Sequence, residues 1–213
     1  MHPRSPASGP APVPEADQKT ATPPARTSGH TGPAGPAGAV ATVALRPVGE
    51  TDLPMLARFL VDPAAAGPFQ WYGYADPARF RRHWVENGLL GEDGGQLIVM
   101  GDGQPAGFVA WRRVVVSPSS HCWNMGAQLM PEACGRGIGT RAQQQLVRYL
   151  FSNTPVMRIE ADTEAGNVAE QRALEKAGFT REGVRRAIVF RDGKWRDGIS
   201  YSVLRDDPLP AGV

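Results

Sequence analysis

The sequence predicts a single α+β domain in which helices flank a mixed, mostly antiparallel sheet. Apolar residues with helical spacing alternate along the chain with short segments of strand-like composition. Two pairs of strand segments are separated by turns that contain Asp-Gly, a dipeptide typical of β-hairpins. Another strand segment runs through a glycine-rich loop into a helix. Together these features give the element order βααβββαβαββ.

The segment before this domain, residues 1–38, is rich in Pro, Ala, Gly, Ser and Thr. It holds 9 of the 20 prolines of the 213-residue chain and no aromatic residue. Such a composition buries too little apolar surface to offset the entropy of ordering, so we expect disorder there. The domain itself is expected over residues 39–207, followed by a short C-terminal tail at 208–213.

Two helices are expected early in the domain. Thr51 or Asp52 is a candidate cap for the first helix. That helix places four apolar residues on one face, namely Leu53, Leu56, Phe59 and Leu60. Asp76-Pro77 combines an N-cap residue with a proline at the first helical position, which predicts a second helix. The second helix carries Phe80 and Trp84 four residues apart.

The remaining elements follow from turn signals and from apolar periodicity. Strands are predicted at Val43–Arg46, Gln96–Met100, Ala106–Val116, Trp123–Met130, Val156–Ala161, Arg185–Phe190 and Trp195–Leu204. The later helices are predicted at Thr140–Phe151 and Asn167–Ala177. Gly178-Phe179 is expected to end the last helix, because a glycine followed by an apolar residue is a common C-terminal motif.

Composition excludes several classes of protein. No run approaches 18 apolar residues, so we expect no membrane partner, and the N-terminus lacks the apolar core of a secretion signal. Two cysteines and four histidines without ligand spacing predict neither a disulfide framework nor a metal site. A net charge of +2 argues against a dominant nucleic-acid surface. A reducing, cytoplasmic location is therefore expected.

The glycine-rich loop, Gly135–Thr140, is the most informative motif of the sequence. Glycine lets backbone N–H groups turn toward a ligand, and the helix that follows adds its dipole and unpaired N–H groups. These features favour a phosphate. The loop is not a Walker A motif, because no lysine precedes Thr140, and it lacks the third glycine of G-x-G-x-x-G. On its own it also fits a tight turn without a ligand.

Here the sequence resembles a known family. Cys134–Gly139 resembles the Q/R-x-x-G-x-G/A signature of the GNAT N-acetyltransferase superfamily, and Asn167–Phe179 resembles its N-x-x-S-x-x-x-x-E-K-x-G-F segment. Leu45-Arg46-Pro47 and the hairpin at Asp192-Gly193 are similar to the branch that includes the ribosomal-protein alanine acetyltransferases. The resemblance covers about residues 43–205.

This resemblance implies acetyl-CoA as the acyl donor. It implies that two parallel strands at the centre of the sheet splay apart, with the pantetheine arm in the gap and the pyrophosphate on N–H groups of the loop. An acceptor amine then attacks the thioester directly, so catalysis rests on positioning and on N–H groups that stabilise the oxyanion. The residues implied to contact the donor are Leu129, Met130, Cys134, Gly135, Arg136, Gly137, Ile138, Gly139, Thr140 and Asn167.

Several positions depart from the family pattern. Cys134 replaces the usual Gln or Arg, as either an inert loop residue or a reactive thiol. Glu170 replaces a serine that is a candidate proton donor in the branch. It either completes a capping box with Asn167, or it reaches the acceptor amine or the thiol. Asn124 stands where the branch often has a glutamate base, and it can orient an amine or a water but cannot take a proton. Leu174 stands where other members carry an acidic tyrosine.

The general base is therefore open among Glu170, His121 and a water relayed past Asn124. Glu170 and Asn124 are the predicted catalytic residues. On the acceptor side, Trp71, Tyr72 and Tyr74 form either an aromatic wall for an amine or a hydrophobic cluster over the core. A basic stretch between Arg181 and Arg196 is either a solvated hairpin or a contact for a phosphate-bearing partner.

Three functions fit these residues. The first is an acetyl-CoA-dependent N-acetyltransferase acting on a small-molecule amine or a peptide N-terminus. The second is an acyltransferase of the same fold using another acyl-CoA, a carrier-protein thioester or an aminoacyl-tRNA, the one reading with a nucleic-acid partner. The third is a non-catalytic CoA-binding module. Monomer and homodimer are both compatible with the sequence.

Overall fold

The computed structural model describes residues 41–211, and structural statements here concern that range. The predicted disorder of residues 1–38 lies outside the described residues, as do the last two residues of the predicted C-terminal tail. The strands are β1 (Val43–Pro47), β2 (Leu90–Gly91), β3 (Gly94–Gly101), β4 (Gln104–Ser117), β5 (Ser120–Leu129), β6 (Arg158–Glu164), β7 (Thr180–Arg191) and β8 (Lys194–Leu204). The helices are α1 (Leu53–Val61), α2 (Pro63–Ala66), α3 (Arg79–Asn87), α4 (Ile138–Asn153) and α5 (Val168–Lys176), with 3-10 turns at Glu50–Asp52 and Pro131–Ala133.

The sheet confirms the predicted α+β class with a mixed, mostly antiparallel sheet. Its strand order is β1-β3-β4-β5-β6-β8-β7, with β2 paired to β3. Only β5 and β6 run parallel, and their register covers three pairs, from Trp123↔Ile159 to Met125↔Ala161. Beyond these pairs β5 continues to Leu129 against β4, and β6 continues to Glu164 against β8. The two central strands therefore splay apart at one end, as the family resemblance implies.

Both faces of the sheet are covered. On one face, α4 contributes buried residues such as Leu146 and Leu150 to the main core, together with Leu97 and Val99 of β3. On the other face, Ile98 packs against apolar residues of α1 and α3, including Leu56 and Phe80. Because β3 is buried on both sides, its residues form a continuous apolar run instead of alternating with polar residues.

The ends of the elements follow local chemistry. Helix α5 ends in a Schellman motif: Phe179 N–H donates to Leu174 O at 3.0 Å and Gly178 N–H to Glu175 O at 3.1 Å. Gly178 has φ +101°, which glycine adopts without strain. The turns of the two predicted hairpins also have positive φ, at Asp102-Gly103 and Asp192-Gly193. The predicted helix end and both predicted hairpins are confirmed.

The starts of two helices differ in part from the predictions. Helix α1 begins directly after Asp52, as predicted, but Asp52 does not cap it with its side chain. Its buried carboxylate instead accepts hydrogen bonds from Arg46 Nη1 and Nη2, at 2.6 and 2.7 Å, and from Gly49 N–H at 2.8 Å. The hydrogen bond from Arg46 is the main reason that the pKa of Asp52 lies below its ordinary value. Asp76 accepts Ala78 N–H in a turn before α3, so that helix begins two residues after Pro77.

The structure also contains two short elements that the sequence did not predict, α2 and β2. They are four and two residues long. Neither is long enough to show an apolar period, which explains why the pattern gave no signal for them.

Candidate active site

Two cavities lie at the splayed end of β5 and β6. The larger, of about 610 Å³, is lined by the glycine-rich loop, the end of β5, α2 and α5, and we call it the loop cavity. The smaller, of about 210 Å³, is lined by β5, β6 and β7, and we call it the strand cavity. Five residues line both, so the two spaces meet at one junction; these are Phe69, Gln70, Ala127, Asn167 and Glu170.

The glycine-rich loop is shaped by two left-handed residues. Gly135 and Gly137 both have φ +75°, a backbone conformation that is strained for residues with a side chain. A Cβ built on Gly135 would meet no heavy atom within 4 Å, so the loop surface is open there. Gly137 is the N-cap of the 16-residue helix α4. The first amides of α4 have no carbonyl one turn earlier, and the helix dipole makes this end positive. The loop therefore fits an anionic ligand.

Basic side chains of α5 extend this fit. Arg172 and Lys176, one helical turn apart, both line the loop cavity. Within residues 41–211 neither has a carboxylate within salt-bridge distance. Their charges face a cavity that also receives the positive end of α4. A ligand with several phosphates matches both features.

Most of the predicted donor-binding residues line the loop cavity. They are Leu129, Cys134, Gly135, Gly137, Gly139, Thr140 and Asn167. A Cβ on Gly139 would lie 3.5 Å from Leu129 Cδ1, which brings the loop against the end of β5. Burial raises the pKa of the Cys134 thiol, and its Sγ contacts Met130 O at 3.5 Å. A raised thiol pKa opposes the reactive-thiol reading and favours the inert one.

Three predicted donor-binding residues do not present side chains to this cavity. Met130 is buried against Phe59 and Ala65, and its N–H donates to Ala106 O at 2.8 Å, so that N–H is not free for a ligand. The Arg136 side chain pairs with Asp102 on the other side of the loop. Ile138 is 1% exposed and packs in the core. Neither Arg136 nor Ile138 lines the loop cavity.

Glu170 lies at the junction of the two cavities. Asn167 Oδ1 accepts Glu170 N–H at 3.3 Å and caps α5, but the Glu170 carboxylate does not return the bond, because Asn167 N–H donates to Glu164 O. The capping box is thus half formed. The carboxylate instead accepts Gln143 Nε2 at 2.7 Å. Burial raises the pKa of Glu170 to about 7, against an opposing effect of that hydrogen bond. A carboxyl with this pKa exchanges protons at neutral pH.

Asn124 is hydrogen-bonded to a residue that lines the strand cavity. Its Nδ2 donates to Asp162 Oδ2 at 3.0 Å, and Asn124 itself does not line either cavity. Asp162 lines the strand cavity and also accepts Ser200 Oγ at 2.7 Å and Arg185 Nη1 at 3.3 Å. The strand alternation that points Ala161 into the core points Asp162 to the cavity face. Asn124 therefore contacts Asp162 and neither cavity, and its role in orienting an amine or a water stays a prediction.

Glu164, which lines the strand cavity, forms a buried ion pair with Arg191. Arg191 and Glu164 side chains are each 8% exposed, and Arg191 contacts the Glu164 carboxylate at 2.8 to 3.1 Å through two nitrogens. The Arg191 guanidinium lies 5.5 Å from the centre of the Phe69 ring. This pair therefore supports the aromatic residue that lines both cavities. Three of the six cations in the basic stretch contact carboxylates, since Arg185 and Arg196 do so as well as Arg191.

The predicted aromatic wall is reduced to one member. Tyr72 lines the strand cavity, and burial raises its pKa. Trp71 and Tyr74 do not line it: their rings pack on each other in an edge-to-face contact at 5.2 Å, and Tyr74 is 80% exposed. Phe69 lines the strand cavity together with Tyr72. His121 lies at the start of β5 against Trp123, away from both cavities.

Sequence reasoning missed Gln143, Asp162, Glu164 and Arg191. The one available signal was a polar residue at an apolar position, because Gln143 follows Ala142 and precedes Leu146 and Val147 on the buried face of α4. Residues 41–211 contain no group of three or more His, Cys, Asp or Glu placed to hold a metal ion. In the same range no helix has the length and apolar character needed to cross a membrane.

The chain is similar in sequence to known acetyltransferases. A family model described as "Acetyltransferase (GNAT) domain" matches residues 42–180. The "Probable N-acetyltransferase YjcK" of Bacillus subtilis (strain 168) is 40% identical over 73 residues, which are 34% of this chain and 40% of that protein. The chain thus spans less than half of that relative. "Aminoglycoside N(6')-acetyltransferase type 1" of Klebsiella pneumoniae is 29% identical over 156 residues, 67% of this chain and 76% of the other.

Among solved structures, a ribosomal-protein-alanine N-acetyltransferase from Brucella melitensis superposes with a TM-score of 0.65. The superposition covers 76% of this chain and 99% of that chain, at 23% sequence identity. At this identity the likeness concerns the fold alone.

Proposed function

The chain belongs to the GNAT acetyltransferase family, and from this membership we propose that it transfers an acetyl group from acetyl-CoA to a primary amine of a small molecule or of a peptide N-terminus. The observation that carries the proposal is the junction of the loop cavity with the strand cavity at Glu170. A two-substrate transfer needs two binding spaces that meet at one point, and this arrangement supplies them.

The donor is assigned to the loop cavity. The amides of Gly135–Thr140 would hold the pyrophosphate, and Arg172 and Lys176 add positive charge along the rim. The edge of β5 beyond Met125 has no partner strand on its β6 side, so the pantetheine amides can bond there. When bound, acetyl-CoA supplies an activated thioester carbonyl.

The acceptor is assigned to the strand cavity. Asp162 presents a carboxylate held by Asn124, Ser200 and Arg185, which fits an ammonium group on the incoming amine. Glu170 is placed to take the proton that the amine must lose before it attacks. Because an α-amine titrates near 8 and Glu170 near 7, the transfer needs little driving force.

The test is acetyl transfer to a panel of amines. The protein is incubated with acetyl-CoA and peptides, aminoglycosides or polyamines, and free CoA is separated by chromatography, so that the exposed free thiol of Cys134 does not add to the signal. Release of CoA with formation of an N-acetyl product supports the proposal. Binding of acetyl-CoA without release across the panel would favour a CoA-binding module. Absence of acetyl-CoA binding in calorimetry would overturn the assigned donor.

A matched pair of variants tests the loop. Gly137→Asp places a negative charge where the pyrophosphate is assigned, and we expect CoA affinity to fall at least about tenfold. Gly193→Asp is the control: Gly193 has φ +70°, close to the +75° of Gly137, and a Cβ there meets no heavy atom within 4 Å. The control should bind CoA like the parent protein. Equal affinity of the two variants would refute the placement of the pyrophosphate.

A further inference from the structure

Gln143 is a buried amide at a position that favours an apolar residue. It is 0% exposed, between Ala142 and Leu146 on the core-facing side of α4. Burying an amide costs free energy unless its donors and acceptor are paired. Gln143 satisfies only part of this need: Nε2 donates to Glu170 Oε1 at 2.7 Å, and Oε1 has no partner.

The place of this contact is informative. Helix α4 begins at the glycine-rich loop, and α5 begins at Asn167 beside both cavities. The Gln143–Glu170 bond joins the two helices at the junction of the loop and strand cavities. A purely structural contact at this site would be made better by two apolar side chains, which need no partner.

The unpaired oxygen of Gln143 could accept a hydrogen bond from a donor that is present in only one protonation state of Glu170. A carboxylate has no proton to donate, but a protonated carboxyl has one O–H. A carboxylic acid and a primary amide can pair through two hydrogen bonds, O–H to amide oxygen and amide N–H to carbonyl oxygen. The second bond is present already, and the first would satisfy Gln143 Oε1.

We propose that Gln143 is a positioning residue that holds Glu170 in both protonation states, with one hydrogen bond to the carboxylate and two to the acid. In the reaction, which rests on the proposed function, Glu170 takes one proton from the acceptor ammonium and leaves a neutral amine. The amine nitrogen bonds to the acetyl carbon, the carbon–sulfur bond breaks, and Glu170 passes its proton to the departing sulfur, which leaves as a thiol. The amide nitrogen then loses its extra proton to the Glu170 carboxylate, which releases it to water.

Other ionisable groups line the two cavities that meet at Glu170. They are Arg172 and Lys176 on α5, Asp162 and Glu164 on β6, Arg185 on β7, and Tyr72 and Cys134 on loops. Asp162 and Glu164 are each paired with an arginine. The protonation of Glu170 is governed chiefly by its burial and by the hydrogen bond from Gln143. The experiment isolates the effect of that hydrogen bond.

The first test needs no acceptor. In protein labelled with ¹³C at glutamate carboxyls, the Glu170 resonance is assigned by its loss in Glu170→Gln and titrated. Gln143→Leu should raise its midpoint, because the lost N–H bond to the carboxylate is charge-assisted, and leucine leaves the buried charged form without a partner. Gln144→Leu is the control, since Gln144 on the same helix bonds a backbone carbonyl of α5, that of Lys176, at 2.9 Å. It should leave the midpoint unchanged.

A second readout follows the amide itself. The side-chain ¹⁵N–¹H resonances of Gln143 should shift with the midpoint of Glu170, and Glu170→Gln should abolish that shift. Gln143 resonances that stay constant through the Glu170 titration, or a Glu170 midpoint unmoved by Gln143→Leu, would overturn the proposal. A merely structural Gln143 would change the unfolding temperature without changing either titration.

The kinetic arm separates this inference from the proposed function. With any amine that is acetylated, Gln143→Leu should raise the acid-limb midpoint of kcat by the shift seen in the carboxyl titration, with KM for acetyl-CoA within twofold of the parent value. A profile that does not follow the carboxyl titration would overturn the relay. If no amine is acetylated while both titrations behave as expected, the pairing of Gln143 and Glu170 stands and the proposed function fails.

Discussion

Replacing Glu170 by glutamine should make the protein more stable, and increasingly so as the pH rises. Burial raises the pKa of Glu170 to about 7, against an ordinary value of 4.5. Between these two values the unfolded chain carries a carboxylate that the folded protein holds protonated. Folding is therefore penalised as the pH rises, and Glu170→Gln removes the penalty while keeping the acceptor for Gln143 Nε2.

The magnitude follows from the pKa difference. At about 1.4 kcal/mol per pH unit, a pKa difference of about 2.5 corresponds to a penalty of about 3.5 kcal/mol. The penalty is absent well below pH 4.5, grows between pH 4.5 and 7, and is complete above pH 7. Because Glu170 lines two cavities that water can enter, we expect a gain of about 2 to 3 kcal/mol at pH 8 and near zero at pH 4.

Urea unfolding at pH 4, 6 and 8 measures this difference directly from the midpoints and slopes. Glu86→Gln on α3 serves as the control, since Glu86 is exposed and makes no ion pair among the described residues. A Glu170→Gln protein that is less stable than its parent at pH 8 would refute the reasoning. So would a gain that is the same at every pH, because it would not come from the ionisation of Glu170.

Three further outcomes are expected. Arg191→Met should lower the free energy of unfolding, measured in urea, by about 3 kcal/mol, because it leaves Glu164 buried without its main partner. The double variant Arg191→Met with Glu164→Leu should recover most of this loss, and no recovery would contradict the pairing of the two residues. Glu182→Gln should cost under about 1 kcal/mol at pH 7, since the Glu182 side chain is 40% exposed. The Arg158 hydrogen bond lowers the pKa of Glu182 to about 2, so that cost should vanish as the pH falls from 4.5 toward 2, and an equal cost at pH 2.5 would contradict it. Asp162→Asn should raise KM for an amine acceptor about tenfold or more and leave KM for acetyl-CoA unchanged, and the opposite pattern would place Asp162 on the donor side.

Local chemistry made part of this fold predictable from sequence. The Schellman end of α5 depends on Gly178 and Phe179, which are adjacent, and the last hairpin depends on Asp192-Gly193. The glycine-rich loop was likewise identified because its glycines and the helix start lie within six residues. Such features require only the preferences of neighbouring residues, so a single sequence carries them.

The side-chain network of the candidate site was not predictable in this way. Gln143 meets Glu170 across 27 positions, and Asn124 meets Asp162 across 38. Whether Trp71 faces a cavity or packs on Tyr74 depends on the path of the whole loop. These contacts result from the packing of distant elements, and no periodicity in the chain encodes them.

The brief pairing of β5 with β6 has a mechanical consequence. The sheet consists of two half-sheets, β1-β3-β4-β5 and β6-β8-β7, joined by a seam of three residue pairs. Across the rest of the seam the halves have no backbone bonds to each other, so cohesion there depends on the helices that span it and on whatever fills the gap. A ligand that bonds to the free strand edge would complete the seam, and it would stabilise the fold increasingly as its free concentration exceeds its Kd.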